Sequence, residues 1–263
     1  MLIEVAASRF DRAMINGRTG PILIAASTAD GNEVDLVAKF TNEPQLTVNG
    51  LVREAIAAML AVDLQLPIPE PLLVRLDSMF IDAVEQVEPS VGVRLKNANS
   101  IGFGSTKLPG GFGIWSFERD VPDASLSQAA DIFAFDCLTQ NADRSKGSPN
   151  AMWNGTGFAI IDHELAFQIQ GVLFWKPPWV VGSLTDLANG HLFYRSLKGK
   201  PSDLSGLRTR WASISDARLV EYDNALPQEW RTATTTIQES LDFVRDVRDN
   251  IDAAMNEVQR TLQ

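Results

Sequence analysis

One cysteine, Cys137, stands in 263 residues, so no disulfide can close within the chain. Histidine is almost as scarce, with His163 and His191 the only two, and no Cys/His pattern has the spacing of a zinc site. Cys137 lies in an apolar stretch, which makes a buried and inert thiol the expectation rather than a nucleophile. No apolar run approaches the roughly 20 residues of a membrane span. The start, Met1-Leu-Ile-Glu-Val, lacks the basic residues and long apolar region of a secretion signal. These absences predict a soluble, cytoplasmic protein. Positive charge is also short: 23 Lys and Arg face 33 Asp and Glu, for a formal charge of −10 and a pI near 4.7. The basic residues are scattered, which argues against direct nucleic-acid binding and against docking on an anionic membrane. A nucleotide is still compatible, because its phosphates need only a local pocket of lysine, metal and backbone N–H groups.

What the chain does have is ordinary globular composition, 45% hydrophobic and 21% charged. There is no internal repeat and no low-complexity tract. Pro21-Ile-Leu-Ile-Ala-Ala and Val34-Asp-Leu-Val-Ala-Lys-Phe read as strands around the turn residues Thr28–Asn32, a hairpin with Lys39 near its end. Leu51, Ala55, Ala58, Met59 and Val62 recur at spacings of three and four, which predicts a helix over Thr47–Leu64. The prolines of Leu66–Pro71 stop it, and Leu72–Leu76 resumes as strand. Asn99–Gly113, rich in Gly and Pro, reads as an irregular connection. From Ser125 the chain is helical through Leu138, with Ser125 as N-cap and Gln128 as its capping-box partner. A hairpin of Ala151–Trp153 and Phe158–Asp162 follows. Beyond Gly171 the reading is mainly helical and ends in one helix over Thr234–Leu262. The expected fold is α+β, with a strand-rich part over about 1–115 and a helical part over about 116–263.

The most informative segment is Asn141-Ala-Asp-Arg-Ser-Lys-Gly-Ser-Pro-Asn150 with Ile160-Ile-Asp-His163 behind it. Phosphoryl transfer asks little covalent chemistry of a protein. It needs a carboxylate that orients the acceptor, oxygen ligands for Mg²⁺ and a cation on the phosphates. An Asp ending a helix, an Asn opening a strand and an Asp closing the hairpin can converge on one ion, since pairing brings Asn150 and Asp162 to the same open end.

At these residues the chain resembles the HipA-like kinases in their short form: N-x-D-R-x₅-N, a hairpin, then I-D-H. Further segments resemble the family in order. Asn16–Pro21 is similar to its nucleotide-covering turn, Leu36–Phe40 to its phosphate-lysine strand, and Asn49–Glu54 to the helix that supplies a partner glutamate. Leu66–Pro71, Gly102–Lys107 and Leu226–Trp230 also match, and the resemblance spans roughly residues 10–235. It implies a bilobal kinase-like fold with ATP between the lobes, and transfer of the γ-phosphate to a Ser or Thr of a protein. It implies Asp143 as catalytic base, Asn150 and Asp162 as metal ligands, and Lys39 on the phosphates with Glu54 holding it. Gly17 and Gly20 would let the backbone approach the phosphates. No DNA-binding segment is appended, so a repressor or antitoxin partner, where there is one, is expected as a separate chain. The chain differs from the commoner protein kinases in its Asp143-to-Asn150 spacing of seven, which is expected within the short HipA-like form, and in having no Asp-Phe-Gly at the metal Asp, so activation-loop regulation of the protein-kinase kind is not implied.

Blander readings stand beside these. Asp143 and Asn150 also suit turns, Lys39 and Glu54 also suit solvated surfaces, and His163 reads best as a satisfied polar group. Asp136 either braces the following loop or faces solvent. Arg144 either neutralises phosphate or holds that loop by a salt bridge. Phe174–Trp179 is either part of an acceptor or partner site or a loop whose tryptophans pack on the domain. The rival functions are a pseudokinase that only binds nucleotide or a partner, and a metal-dependent hydrolase built on Asp143, Asp162 and His163. His191 lies in a segment with no visible link to the site.

Overall fold

In the computed structural model, which describes residues 2–14, 17–171 and 173–263, the N-terminal strands close on themselves. β1 (Ile3–Ala13), β2 (Ile22–Ser27), β3 (Glu33–Lys39), β4 (Pro71–Arg75) and β5 (Ile101–Thr106) form a barrel in the order β1-β2-β3-β5-β4, with β4 parallel to β1. Alternate residues fill its interior, among them Val5, Ala7, Ile22, Ile24, Leu36, Ala38, Leu72 and Val74. The β2–β3 hairpin is in the register the alternation predicts, Ile22 facing Ala38. Lys39 therefore comes level with Pro21, beside the turn that joins β1 to β2.

α1 (Val48–Asp63) leaves β3 and re-enters at β4, with Thr47 as its N-cap. It is buried nearly all round, because the barrel covers one side and the C-terminal helices the other. Two helices that the sequence reading leaves unassigned, α2 (Ser78–Val87) and α3 (Pro89–Lys96), join β4 to β5. Phe80, Val84, Val91 and Leu95 from this pair pack into the barrel core.

Three local expectations are corrected. Asn99–Gly113 contains β5, a full barrel strand. Its glycines mark close approach, since a Cβ at Gly102 would strike the Lys39 carbonyl and the Phe40 ring, and one at Gly104 would sit 2.6 Å from Val74. The capping box at Ser125 does not form. A 3₁₀ turn over Asp123–Ser125 feeds α4 (Leu126–Thr139), and Gln128 instead accepts a hydrogen bond from the Phe158 N–H at 2.8 Å. β6 (Gly113–Ile114), β7 (Ala151–Trp153) and β8 (Phe158–Ile160) form a three-stranded sheet, and short helices follow: α5 (Thr185–Gly190), α6 (Tyr194–Leu197), α7 (Ser205–Ala212) and α8 (Asp216–Ala225). The last helix is two, α9 (Thr234–Asp249) and α10 (Ile251–Leu262), broken where Asn250 leaves helical geometry and its side chain donates to the Asp246 carbonyl. The apolar stripe survives the break, with Ile237, Leu241, Val244, Val247, Ile251 and Met255 all buried.

The helical part clamps α1. Arg218 and Tyr222 both donate to Asp63 at its end, and Arg210 donates to the Leu64 carbonyl at 2.7 Å. The Trp230 indole N–H reaches the Ile101 carbonyl at the start of β5, 3.0 Å away. Among the described residues no helix is long and apolar enough to cross a membrane.

Candidate active site

β3, α1 and the segment after β8 meet at one ammonium. Lys39 Nζ lies 3.0 Å from Glu54 Oε2, 2.7 Å from Asp162 Oδ1 and 3.4 Å from Glu164 Oε2. Glu54 is fully buried, Glu164 nearly so, and Asp162 keeps about a quarter of its side chain (27%) in solvent. Burial alone would lower the Lys39 pKa, but the three carboxylates outweigh it and hold the amine charged. Asp162 is likewise pushed up by burial and pulled further down by Lys39, so it stays ionised. Burial raises Glu54, and it raises Glu164 to about 7 against the pull of Lys39. Arg53 adds a second tie, its Nε donating to the Glu164 carbonyl at 2.8 Å. Adjacent residues of α1 thus tie down two elements by their side chains, Glu54 the lysine of β3 and Arg53 the segment after β8.

The second group is Asp143 with Asn150. Asn150 Nδ2 donates to Asp143 Oδ2 at 3.0 Å, and burial, then the charge of Asp162, raises the Asp143 pKa against hydrogen bonds from Asn150 and Ser148 and the charge of Arg18. Asn150 and Asp162 both adopt left-handed backbone, at φ 44° and 62°. Asn and Asp tolerate that region better than other side chains, and the left-handed turn sets Asn150 off from the strand that follows it and Asp162 off from the strand before it. The hairpin closes between them, with the Ile161 N–H donating to the Asn150 carbonyl at 3.0 Å.

Behind these groups lies a buried network that decides two open readings. Asp136, on α4, braces the loop and does not face solvent. Its Oδ2 takes Arg144 Nε at 2.6 Å and His191 Nε2 at 3.1 Å, and its Oδ1 takes Asn141 Nδ2 at 3.0 Å. Burial would raise the carboxyl, yet Arg144 and His191 pull it down to about 2. Arg144 has no exposed surface and holds the loop: beyond Asp136 it donates to the Asn150 and Ile161 carbonyls. His163 is the satisfied polar group expected. Its Nδ1 faces Arg144 Nη2 at 3.3 Å, and burial first, then Arg144, brings its pKa to about 3, so the ring is neutral. His191 is a genuine miss. Its Nδ1 accepts from the Phe193 N–H, so its Nε2 carries the proton given to Asp136, and Leu192 N–H donates to the Arg144 carbonyl. No local signal joins positions 136 and 191. Glu164 was findable, lying two residues past Asp162.

Of the turn between β1 and β2, Asn16 lies outside the described residues, while Gly17 and Gly20 are both at positive φ (134° and 67°) and joined by a 3.1 Å hydrogen bond from Gly20 N–H to the Gly17 carbonyl. The space glycine leaves at position 20 is taken by the Arg94 guanidinium. In the Phe174–Trp179 loop the tryptophans pack down, Trp175 donating to Gln140 Oε1 at 3.0 Å, while Phe174 stays exposed.

Comparisons with known proteins bear on the family and the fold. The family described as HipA-like kinase matches residues 10–260. No curated protein sequence matches the chain. Among solved structures, the Helicobacter pylori proinflammatory kinase CtkA is similar over 98% of this chain and 99% of its own, at 13% identity and a TM-score of 0.52. The MAP kinase LmaMPK10 from Leishmania major aligns over 96% of this chain and 81% of its own, at 11% identity and a TM-score of 0.28. At such identity the CtkA likeness speaks for the fold, a strand-rich kinase-like N-terminal part on a helical remainder, and the family match covers nearly the whole chain. The chain belongs to the HipA-like kinase family.

Proposed function

We propose that the chain transfers the γ-phosphate of ATP, with Mg²⁺, to a Ser or Thr hydroxyl of a protein. The observation that carries this reading is the convergence at Lys39, whose ammonium lies between Glu54 and Asp162 at 3.0 and 2.7 Å. A cation on a strand end, held by a buried glutamate and aimed at a metal-type aspartate, is what nucleotide phosphates require.

The donor set suits a hard divalent cation. Asp162 offers carboxylate oxygen, and Asn150 commits its Nδ2 to Asp143, which leaves the amide oxygen for a ligand role. Both histidines are engaged elsewhere, His163 with Arg144 and His191 with Asp136, so this chemistry does not favour a nitrogen-ligated hydrolase. Three carboxylates around one ammonium also leave the pocket with excess negative charge. Asn150 and Asp162 would hold Mg²⁺, which would neutralise charge on the phosphates.

The chain's own residues do the rest. Asp143 orients the acceptor hydroxyl and takes its proton as the acceptor oxygen bonds to phosphorus and ADP departs. Burial, which raises its pKa, makes it a better base than an ordinary aspartate. Lys39 carries positive charge to the phosphates, and Glu54 keeps it in place. Asp136 and Arg144 hold the loop so that Asp143 and Asn150 need not be ordered at the moment of reaction. The protein acceptor, and a separate regulatory or antitoxin chain as partner, are proposed from the family resemblance and from no feature of the site.

The test is phosphate transfer from radiolabelled ATP with Mg²⁺, including self-labelling, by the wild type and by Asp143→Ala, with thermal shift on the same samples. Labelling lost in the variant supports the reading. Stabilisation by nucleotide without labelling makes the chain a pseudokinase. Neither labelling nor stabilisation refutes ATP use altogether.

A further inference from the structure

The turn between β1 and β2 is held from outside the barrel. Arg94, in the last turn of α3, directs its guanidinium Nη1 to the carbonyl oxygen of Gly20 and, at 3.5 Å, to that of Thr19. Half-buried cations normally find a carboxylate. No carboxylate among the described residues pairs with Arg94, and burial alone bears on its charge, pulling its pKa down. Its hydrogen bonds go to the turn.

The guanidinium occupies the space that the missing side chain of Gly20 leaves. Gly20 has φ 67°, and a Cβ there would collide with Arg94 Nη1. The backbone favours glycine at position 20, and any side chain there would also push the guanidinium from its place. The mount is rigid. Gly92 of α3 lies directly on the backbone of Glu85 in α2, and Val91 and Leu95 anchor α3 in the barrel core beside Phe80 and Val84. Thr19, the other residue whose carbonyl is held, is itself buried.

We propose that Arg94 is a positioning residue for the nucleotide: from α3 it fixes the Gly17–Gly20 turn before ATP arrives, so that binding does not have to order it. The inference rests on the ATP-dependent reading above. Ordering a loop on binding subtracts from affinity, and a loop fixed in advance avoids that loss. α2 and α3 then serve as a fixed bracket joining the barrel core to the turn beside Lys39.

The experiment uses the full chain without nucleotide and follows amide hydrogen exchange in wild type, Arg94→Ala and Arg94→Lys. The expected result is exchange about tenfold faster at Gly17–Gly20 in Arg94→Ala, the scale of one charge-assisted hydrogen bond, with α3 changed less than about twofold. Arg94→Lys, which keeps one charged donor, recovers part of the protection. In labelling assays the KM for ATP rises about tenfold in Arg94→Ala while kcat stays within about twofold. Unchanged exchange in the turn overturns the proposal, as does an unchanged KM. Equal loss of protection in α3 and the turn also overturns it, because Arg94 would then be supporting α3 alone. A wild type that binds no ATP refutes the nucleotide reading itself, and the exchange data still report separately whether Arg94 holds the turn.

Discussion

Two charge clusters flank the hairpin end at Asn150 and Ile161, and they are built on opposite principles. Around Asp136 everything is matched: one carboxylate, one guanidinium, an amide and a neutral imidazole, with each carboxylate oxygen accepting two hydrogen bonds and no exposed surface on Asp136 or Arg144. Around Lys39 the charges do not balance, since one ammonium serves three carboxylates, and Asp162 remains open to solvent. A closed, neutralised cluster costs least when nothing further enters. An open one with surplus negative charge has more to gain from a metal ion. The first cluster is built as scaffold, and the second is the place we propose for a ligand.

Breaking the open cluster gives the largest effect. Lys39→Met removes its only ammonium, and phosphate labelling should fall by on the order of 10²–10³, the range for loss of one preorganised electrostatic group. The stabilisation by ATP·Mg²⁺ seen in thermal shift should fall with it. A variant that labels as well as wild type would mean that the two clusters differ in appearance only.

Breaking the closed cluster should cost stability as well. Asp136→Asn strands Arg144 in the interior, and unfolding in urea should show a loss of about 3 kcal/mol. The pH dependence has a definite sign. The carboxyl sits at about 2 in the folded chain against 3.8 for an ordinary aspartate. The unfolded chain therefore takes up this proton first, and the contribution is complete above pH 3.8 and lost as pH falls through about 2. Wild type should lose stability more steeply than Asp136→Asn over that window.

His191→Ala tests whether the scaffold reaches across the chain. It deletes one hydrogen bond to a buried charge and opens a small space, for about 2 kcal/mol in the same urea measurement. Glu164→Gln should have the smallest effect, within about 1 kcal/mol, because Lys39 keeps Glu54 and Asp162. A larger loss would show that the third carboxylate is needed to hold Lys39, and that the surplus of charge is structural.

Much of the fold was legible where neighbours in sequence decide the outcome. The β2–β3 hairpin, α1 and the β7–β8 hairpin follow from apolar periodicity and turn residues, and the Asp143–Asn150 segment stands out by its spacing. β5 was hidden because Gly102 and Gly104 mimic a loop, while their reason is the closeness of Phe40 and Val74 across the barrel. The break at Asn250 was invisible because the apolar stripe runs through it unbroken. Gln128 looked like a capping partner until the Phe158 N–H, thirty residues away, claimed its oxygen.

The site divides in the same way. Asp143, Asn150, Asp162, Lys39 and Glu54 were singled out in the sequence by their resemblance, in order, to the family's motifs, and the fold brings Lys39 to Glu54 and Asp162 and Asn150 to Asp143. Whether Asp136 faced solvent or braced the loop, whether Arg144 met phosphate or held that loop, that His191 belongs with them, and that Arg94 grips Gly20 were decided only by tertiary structure. Buried charge is the physical reason. A charged side chain is stable inside only with a partner at hydrogen-bond distance, and folding brings that partner from 8, 55 or 74 residues away.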